Sequence, residues 1–249
     1  SIKKMKNLVE VKNIKKNYGK NEAVKGISFK IKEDEIIGLL GPNGSGKTTT
    51  IGMLLGLLKP TSGEIFINGQ KLEGNRIEIL EQINFISPYI ELPKKLTVKQ
   101  NLTVYGKLYK INNINERIEF LSEKLRLEGL LNSITGELSS GQKNRVSLAK
   151  ALINEPKVLL LDEPTASLDP EVGDFVRSFL EDYKKEKKIS ILLASHNMNE
   201  VTRLCKSILM MKDGIIIDKG NPDELINKHG RKNLEEVFLK LSRSKNELN

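Results

Sequence analysis

The chain has 249 residues, 38% of them hydrophobic and 29% charged, a balance that is typical of a globular protein and excludes a largely disordered one. No stretch approaches the roughly 20 uncharged apolar residues of a membrane helix, and the opening Ser1–Lys6 leads into no apolar signal-peptide core. The single cysteine, Cys205, excludes an internal disulfide and a cysteine-built metal site, and we expect it to be buried. The formal charge of +9 favours an anionic neighbour such as nucleic acid or an acidic membrane, but because much of the excess is scattered we expect a solvated surface on a soluble, cytoplasmic protein.

Short apolar segments at the start of the chain predict strands. Leu8–Ile14 alternates between apolar and polar residues, Ala23–Ile31 follows a turn around Gly19, and Ile36–Leu40 is a compact apolar run. The turn between the first two segments indicates that the chain begins with an antiparallel pair.

The glycine-rich run after Ile36–Leu40 predicts a phosphate-binding loop. It consists of Gly41, Pro42, Asn43, Gly44, Ser45, Gly46, Lys47 and Thr48. Because it lies between an apolar strand and the start of a helix, its backbone N–H groups can surround phosphate oxygens at the helix N-terminus. Lys47 would bridge the β- and γ-phosphates, and Thr48 would place a hydroxyl on Mg²⁺, with Thr49 supporting the phosphate contacts. The alternative is a glycine-rich turn without a ligand.

The middle of the chain changes from strands to helices. Thr48–Leu58 has the length and composition of a buried helix, which the run Lys-Pro-Thr-Ser-Gly at 59–63 terminates. Glu64–Asn68 and Ile83–Ile86 predict strands, and Thr97–Asn154 carries apolar residues at helix spacing. We expect this last region to be a helical insert.

The second half of the chain predicts parallel strands. Val158–Leu161 and Ile189–Ala194 are apolar runs separated by a predicted helix over Glu171–Lys187, which implies a parallel crossover. A hairpin around Asp213-Gly214 follows, and two short helices are expected, one starting after Asn221-Pro222 and one near Leu234.

Two acidic residues, Asp162 and Glu163, follow the apolar strand Val158–Leu161. A carboxylate in this position can hold the Mg²⁺ shell while the next one orients or deprotonates the attacking water. We therefore predict that Asp162 is a metal-shell residue and Glu163 the general base. The alternative is that both are solvated acids at a strand end.

Four further segments resemble motifs of the ABC ATPase family. Leu138–Gln142 resembles the signature, Ser167–Asp169 the D-loop, Ser195-His196 the switch histidine, and Tyr18 the aromatic residue on which adenine stacks. The resemblance covers nearly the whole chain. It implies an α/β fold: a phosphate-loop NTPase core with an N-terminal antiparallel β-subdomain and an inserted α-helical subdomain.

We expect a single ABC ATPase domain over residues 1–249. The core and the antiparallel β-subdomain would occupy 1–88 and 156–220, the helical subdomain with the signature 89–155, and a helical tail 221–249.

The resemblance also implies a head-to-tail dimer, expected to be a homodimer, in which ATP is held by the phosphate loop of one subunit and the signature of the other. Lys47, Glu163 and His196 would be the catalytic residues, and Val24 would join Tyr18 among the nucleotide-binding residues. The signature residues that would face the nucleotide of the partner are Ser139, Ser140, Gly141 and Gln142. By contrast, we expect His229 to be an ordinary surface histidine.

Two positions depart from the family pattern. Ser140 stands where a glycine is usual, which adds a small side chain near the phosphate. Pro88 falls where the family usually has glutamine, and proline can neither coordinate Mg²⁺ nor orient water through a side chain. Either Ser87, a water molecule or a shifted neighbour takes that role, or turnover is slow, or the proline belongs to the docking of a partner.

The tail from Asn221 to Leu239 looks like that of ATPases that drive export through a separate membrane permease. We therefore expect the ATP-hydrolysing subunit of an exporter, bound through its permease to the inner face of the cell membrane. An importer subunit is a rival within the same class. A soluble ABC ATPase of the iron–sulfur assembly type and a non-ABC phosphate-loop kinase or GTPase are further alternatives, and the last leaves the signature unexplained.

Overall fold

The computed structural model describes residues 6–243; the expectation for the opening Ser1–Met5 therefore lies outside the described residues. The chain divides into two compact units, one formed by the residues up to Ile79 and from Ser190 onward, the other by Leu80–Ile189. Within 6–243, no helix is both long and apolar enough to span a bilayer.

The strands, numbered along the chain, are β1 Asn7–Tyr18, β2 Asn21–Lys32, β3 Ile36–Leu40, β4 Ser62–Ile67, β5 Gln70–Lys71, β6 Ile83–Ile86, β7 Val158–Asp162, β8 Ser190–Ser195, β9 Ser207–Lys212 and β10 Ile215–Gly220. The helices are α1 Lys47–Leu54, α2 Arg76–Leu80, α3 Val98–Leu108, α4 Ile114–Lys124, α5 Ser140–Leu152, α6 Pro170–Lys187, α7 Met198–Leu204, α8 Pro222–His229 and α9 Leu234–Arg243. Single 3₁₀ turns occur at Glu128–Leu130 and Thr135–Glu137.

The first unit contains the predicted antiparallel start. Strands β1 and β2 pair antiparallel, and β4 and β5 extend the sheet in the order β2-β1-β4-β5. Val9 lies opposite both Ile31 and Ile67, so that three buried apolar side chains meet on one face of this sheet.

A second set of strands in the first unit positions the glycine-rich loop. Strand β3 lies between β8 and β9 and runs parallel to both, while β10 pairs antiparallel with β9 around the predicted hairpin. All five residues of β3 are buried, as expected of a parallel strand covered on both faces. A Cβ at Gly38 would lie 2.8 Å from Val201 and 2.9 Å from Cys205, so this glycine permits the close packing of α7 against β3.

Helix α1 is shorter than predicted. It ends at Leu54 instead of Leu58, because Gly56 adopts a left-handed φ of 65°. The N–H groups of Leu57 and Leu58 then turn back to the carbonyl of Gly52, which satisfies the last turn of the helix in the manner of a glycine C-cap.

The second unit contains the predicted helical insert together with β6 and β7, which pair in parallel. Helix α3 begins with a capping box between Thr97 and Gln100. Helix α6 begins after Asp169, whose carboxylate accepts a hydrogen bond from the N–H of Val172 at 3.0 Å. The helices therefore start where their capping residues stand.

Candidate functional site

The glycine-rich loop connects β3 to α1 and leaves the first turn of this helix open. Gly44 and Gly46 have φ angles of 81° and 104°, which disfavour residues with a side chain. Gly46 occupies the N-cap position of α1, and no side chain caps the helix there. The N–H groups of the first turn are thus directed toward the loop, and an anion placed there meets both these donors and the positive end of the helix dipole.

Two glycines are required by close contacts. A Cβ at Gly41 would lie 2.5 Å from the carbonyl oxygen of Met211 and 2.6 Å from Oγ of Ser45. A Cβ at Gly46 would lie 2.8 Å from the carbonyl oxygen of Ala23 and 3.3 Å from the side chain of Val24. Val24 therefore borders the loop directly.

Lys47 and Ser45 give the loop its polar interior. The Lys47 side chain is only 5% exposed, and its Nζ donates hydrogen bonds to the carbonyl oxygens of Gly41 at 2.5 Å and Pro42 at 3.1 Å. Among residues 6–243, the buried Oγ of Ser45 has no hydrogen-bond partner. A buried ammonium and an unsatisfied hydroxyl at a helix N-terminus fit a polyanionic ligand such as a nucleotide phosphate.

His196 emerges at the same edge of the sheet as the loop. Leu40, the residue before Gly41, pairs with Ser195 on the parallel strand β8. Because the carboxyl ends of parallel strands lie at one edge, the exposed His196 follows directly beside the glycine-rich loop. The N–H of Asn197 donates to Oγ of Ser195 at 2.9 Å, which fixes the turn that carries the histidine.

The exposed ring of Tyr18 stands at the end of β1. The ring is 47% exposed, and Nζ of Lys16 lies 5.3 Å from its centroid. Thr48 is exposed at the start of α1, whereas Thr49 is half-buried. These residues share the first unit with the loop and with His196.

Asp162 and Glu163 lie in the second unit, at the carboxyl end of β7. Asp162 is buried, and Glu163 is half-buried with a left-handed φ of 50°. The neighbouring strand β6 ends at Ile86, which pairs with Leu161. The turn after β6 and the acidic pair after β7 therefore lie at one edge of this strand pair.

The turn after β6 contains the proline that departs from the family pattern. Pro88 is exposed in a turn closed by the N–H of Ile90, which donates to the carbonyl oxygen of Ser87 at 3.3 Å. Oγ of Ser87 accepts a 3.3 Å hydrogen bond from the N–H of Tyr89. Ser87, Pro88 and Glu163 line one cavity of about 430 Å³. Of the candidates to replace the glutamine, the Ser87 hydroxyl thus shares a cavity with the proposed base.

The signature segment forms the N-terminus of α5. Ser139 is the N-cap: its Oγ accepts a hydrogen bond from the N–H of Gln142 at 3.2 Å, and the Gln142 side chain accepts one from the N–H of Ser139 at 2.9 Å. A Cβ at Gly141 would lie 3.1 Å from Val172 on α6. Ser139 and Ser140 are exposed, so the side chain that replaces the usual glycine faces outward at this helix end.

The expectation for His229 was wrong. Its side chain is only 12% exposed, and its Nε2 lies 2.6 Å from Oδ2 of Asp218 on β10. Burial alone would raise the pKa of Asp218, but hydrogen bonds from Lys228, His229 and the N–H of Lys219 together lower it. His229 therefore helps to fasten α8 to β10. The sequence did not indicate the pairing of His229 with Asp218, because the two residues are 11 positions apart and lie on different elements.

Sequence reasoning also missed Lys150, a buried lysine on α5. Its Nζ lies 4.2 Å from the centroid of the Phe85 ring and donates to Oδ1 of Asn84 at 3.3 Å. Burial lowers the pKa of Lys150 to about 8. The sequence did contain one indication that Lys150 is buried: it stands between apolar residues at helix spacing.

The sequence profile of the ABC transporter family matches residues 24–166. The chain is 35% identical to the Nod factor export ATP-binding protein I of Rhizobium sp. (strain N33) over 232 residues, which cover 92% of this chain and 76% of that protein. It is also 35% identical to the ABC transporter ATP-binding protein NatA of Bacillus subtilis (strain 168) over 221 residues, which cover 88% and 89%.

The fold resembles that of a solved ATP-binding cassette. That structure is a dimer in a post-hydrolysis state with bound ADP and Pi; it superimposes with a TM-score of 0.79 and 28% sequence identity, over 86% of this chain and 98% of the other. The predicted fold class, an α/β phosphate-loop NTPase core with an antiparallel β-subdomain and inserted helices, is confirmed.

Proposed function

Since this chain belongs to the ABC transporter family of ATP-binding, ATP-hydrolysing proteins, we propose that it energises a separate membrane permease that exports a substrate. The observation that carries the proposal is the loop from Gly41 to Thr48, with its uncapped helix N-terminus and the buried Lys47. The loop supplies the groups that bind nucleotide phosphates, and the family to which the chain belongs acts in transport.

ATP is bound by the first unit. The N–H groups of the loop and the Lys47 ammonium bind the β- and γ-phosphates, and Thr49 supports these contacts. Adenine stacks on the exposed ring of Tyr18. Val24 packs where the loop meets β2, as its proximity to Gly46 supports.

Mg²⁺ would be held by the hydroxyl of Thr48 and the carboxylate of Asp162. Both are hard oxygen donors, and proteins commonly bind this ion through one or two carboxylates together with substrate phosphates. We propose that the nucleotide phosphates complete the shell of the ion. The bound ion supplies positive charge against the triphosphate.

Hydrolysis depends on Glu163 and His196. Glu163 orients the attacking water and accepts its proton, and His196 donates a hydrogen bond to the γ-phosphate. Ser87 takes the place of the absent glutamine side chain, since it lines the same cavity as Glu163. The Pro88 side chain can neither coordinate Mg²⁺ nor orient water, so it has no part in this step.

The site is completed by a second copy of the chain. Ser139, Ser140, Gly141 and Gln142 of one subunit face the nucleotide of the other, where the N-terminus of α5 favours an anion. A related cassette is dimeric with bound ADP and Pi, which supports a dimer for this chain. We propose a head-to-tail homodimer with two ATP molecules between its subunits.

The names of the relatives support export as the direction of transport. One relative is named for Nod factor export, and the tail from Asn221 resembles that of export ATPases. We propose that the chain acts in the cytoplasm, held at the inner face of the membrane by its permease. Import and iron–sulfur assembly are the competing functions.

Purification in mild detergent from the native host tests the coupling. We expect the chain to co-purify with a multi-span membrane protein whose neighbouring genes or homologues mark it as an exporter. Recovery of a soluble iron–sulfur scaffold or an importer permease would contradict the proposal.

Two matched variants locate the contact. Tyr89→Asp replaces a side chain that is 76% exposed next to Pro88, and Ile77→Asp replaces one that is 78% exposed on α2. If the loop at Pro88 docks the permease, Tyr89→Asp should lower the recovery of the permease at least about fivefold, because truncation of a central interface aromatic residue costs about 1 kcal/mol or more, whereas Ile77→Asp should not.

A further inference from the structure

We propose that Asn144 is a positioning residue for Glu163: its side-chain amide holds the carbonyl group of Pro164 and thereby fixes the backbone that carries the general base. The inference rests on the proposed function, in which Glu163 activates water. It concerns a residue that none of the recognised motifs contains.

The contact itself is short and direct. Nδ2 of Asn144 donates to the carbonyl oxygen of Pro164 at 2.7 Å, near the short end of the range for N–H···O hydrogen bonds. Pro164 immediately follows Glu163 and is buried. Asn144 lies in the second turn of α5, after the N-cap at Ser139, so a regular helix supplies the anchor.

The backbone at Glu163 requires such an anchor. Its φ of 50° is left-handed, a conformation that is unfavourable for a residue with a Cβ and persists only where neighbouring contacts hold it. The ring of Pro164 leaves this segment one N–H donor short.

The turn bonds in the same segment are longer than the contact with Asn144. The N–H of Ala166 reaches the carbonyl oxygen of Glu163 at 3.2 Å, and that of Leu168 reaches Thr165 at 3.3 Å. The bond from Asn144 is therefore well placed to determine where the segment sits.

The orientation of the Asn144 amide follows from its surroundings. Within the described part of the chain, its buried Oδ1 has no hydrogen-bond partner. The carbonyl of Pro164 can only accept, so Nδ2 must point toward it. An aspartate in this position would set two acceptors against each other while keeping the volume.

The cavity links this anchor to the chemistry. Asn144 and Glu163 both line the cavity of about 430 Å³ that also contains Ser87. Asn144 and the base that it positions thus line the same cavity. Because Asn144 acts through the Pro164 backbone, its loss should displace the base without weakening ATP binding.

Steady-state ATP hydrolysis of Asn144→Ala and Asn144→Asp separates positioning from binding. We expect kcat to fall about 10- to 100-fold, since a displacement near 1 Å can cost about 100-fold in rate, while the KM for ATP changes less than about twofold. Asn144→Gln, which keeps the amide donor, should recover part of kcat.

Asn154→Ala is the matched control. Nδ2 of Asn154 also donates to backbone carbonyls of the second unit, those of Glu81 at 3.1 Å and Ile83 at 3.2 Å, but these lie at the opposite end of β6 from Ser87. This variant should lower the thermal stability and leave kcat unchanged. Equal losses of kcat in Asn154→Ala and Asn144→Ala would overturn the inference.

Amide hydrogen exchange provides a readout that needs no turnover. In Asn144→Asp, we expect faster exchange confined to the peptide that covers residues 163–168, with the β7 amides unchanged. Unchanged exchange in that peptide would refute the role of Asn144 even if Glu163 is the base. A wild-type protein that hydrolyses no ATP would refute the proposed function, and the exchange data would still decide whether Asn144 holds this segment.

Discussion

Lys150 is a lysine placed where a charge is costly. It is buried beside the Phe85 and Tyr105 rings, and desolvation lowers its pKa to about 8. Such a lysine costs stability whenever it is protonated in the folded state. Its side chain nevertheless donates to the carbonyl oxygen of Phe85 at 3.3 Å, just before the turn that contains Pro88.

The pH dependence of stability should reveal this lysine. Its folded pKa lies below that of a lysine in the unfolded chain, so the unfolded state binds the proton more tightly and stability rises with pH between about 8 and 10.5. At 1.36 kcal/mol per pKa unit, the gain across this range is on the order of 3 kcal/mol.

Urea unfolding of the wild type, Lys150→Met and Lys150→Arg from pH 7.5 to 10.5 measures this effect. The wild type should gain stability relative to both variants, since methionine carries no charge and arginine stays protonated throughout the range. Parallel curves for all three proteins would show that Lys150 does not titrate in this window.

Single residues also show how far prediction from sequence reaches. Glu163 and His196 directly follow β7 and β8, whose apolar runs the hydrophobic pattern reveals, but their roles stay predictions, and that of His196 comes from the family resemblance. His229 could not, because its environment depends on Asp218, which a neighbouring strand brings to it. Contacts between side chains distant in sequence are determined by tertiary packing, which local patterns do not contain.

At the level of elements, the strands were predicted more accurately than the end of α1. The bounds of β3 and β6 agree with the prediction, since a fully buried strand is a continuous apolar run with sharp ends. Leu57 and Leu58 continue the apolar run after α1, but Gly56 ends the helix before them. The short helices α2 and α7 were missed, because five to seven residues hold too little periodicity to detect.

Two glycines of the glycine-rich loop are needed for different reasons: Gly41 because neighbouring atoms leave no room for a Cβ, and Gly44 because of its backbone conformation. Gly41→Ala would place a Cβ within 2.6 Å of two oxygen atoms, whereas a Cβ at Gly44 would meet no atom within 4 Å despite its φ of 81°. We expect Gly41→Ala to weaken ATP binding at least tenfold, because the loop must move. Gly44→Ala should cost about 1 kcal/mol of strain, or about fivefold in affinity.

Isothermal titration of both variants with ATP, after confirming that each is folded, measures the difference. A greater loss of affinity for Gly44→Ala than for Gly41→Ala would mean that the close contacts of Gly41 are not what shapes the phosphate site.

At the level of the whole molecule, the residues proposed for ATP binding and hydrolysis are divided between the two compact units. The loop and His196 belong to one compact unit, and Asp162, Glu163 and the signature to the other. A subunit by itself supplies one phosphate loop and one signature, and in the proposed dimer these serve two different ATP molecules. The fold class could be predicted because the motifs occur in a characteristic order along the chain. The effect of Pro88 on the rate could not, because it depends on the position of Ser87 relative to water and phosphate.

Phosphate release by the purified chain with saturating ATP and Mg²⁺ tests the central claim most directly, with Glu163→Gln as the paired variant. The account predicts Mg²⁺-dependent turnover by the wild type and at least a 100-fold lower rate for Glu163→Gln, a loss in the range of that for removing a general base, with ATP affinity retained. Absence of Mg²⁺-dependent turnover in a wild-type protein that binds ATP, or an undiminished rate in Glu163→Gln, would contradict it.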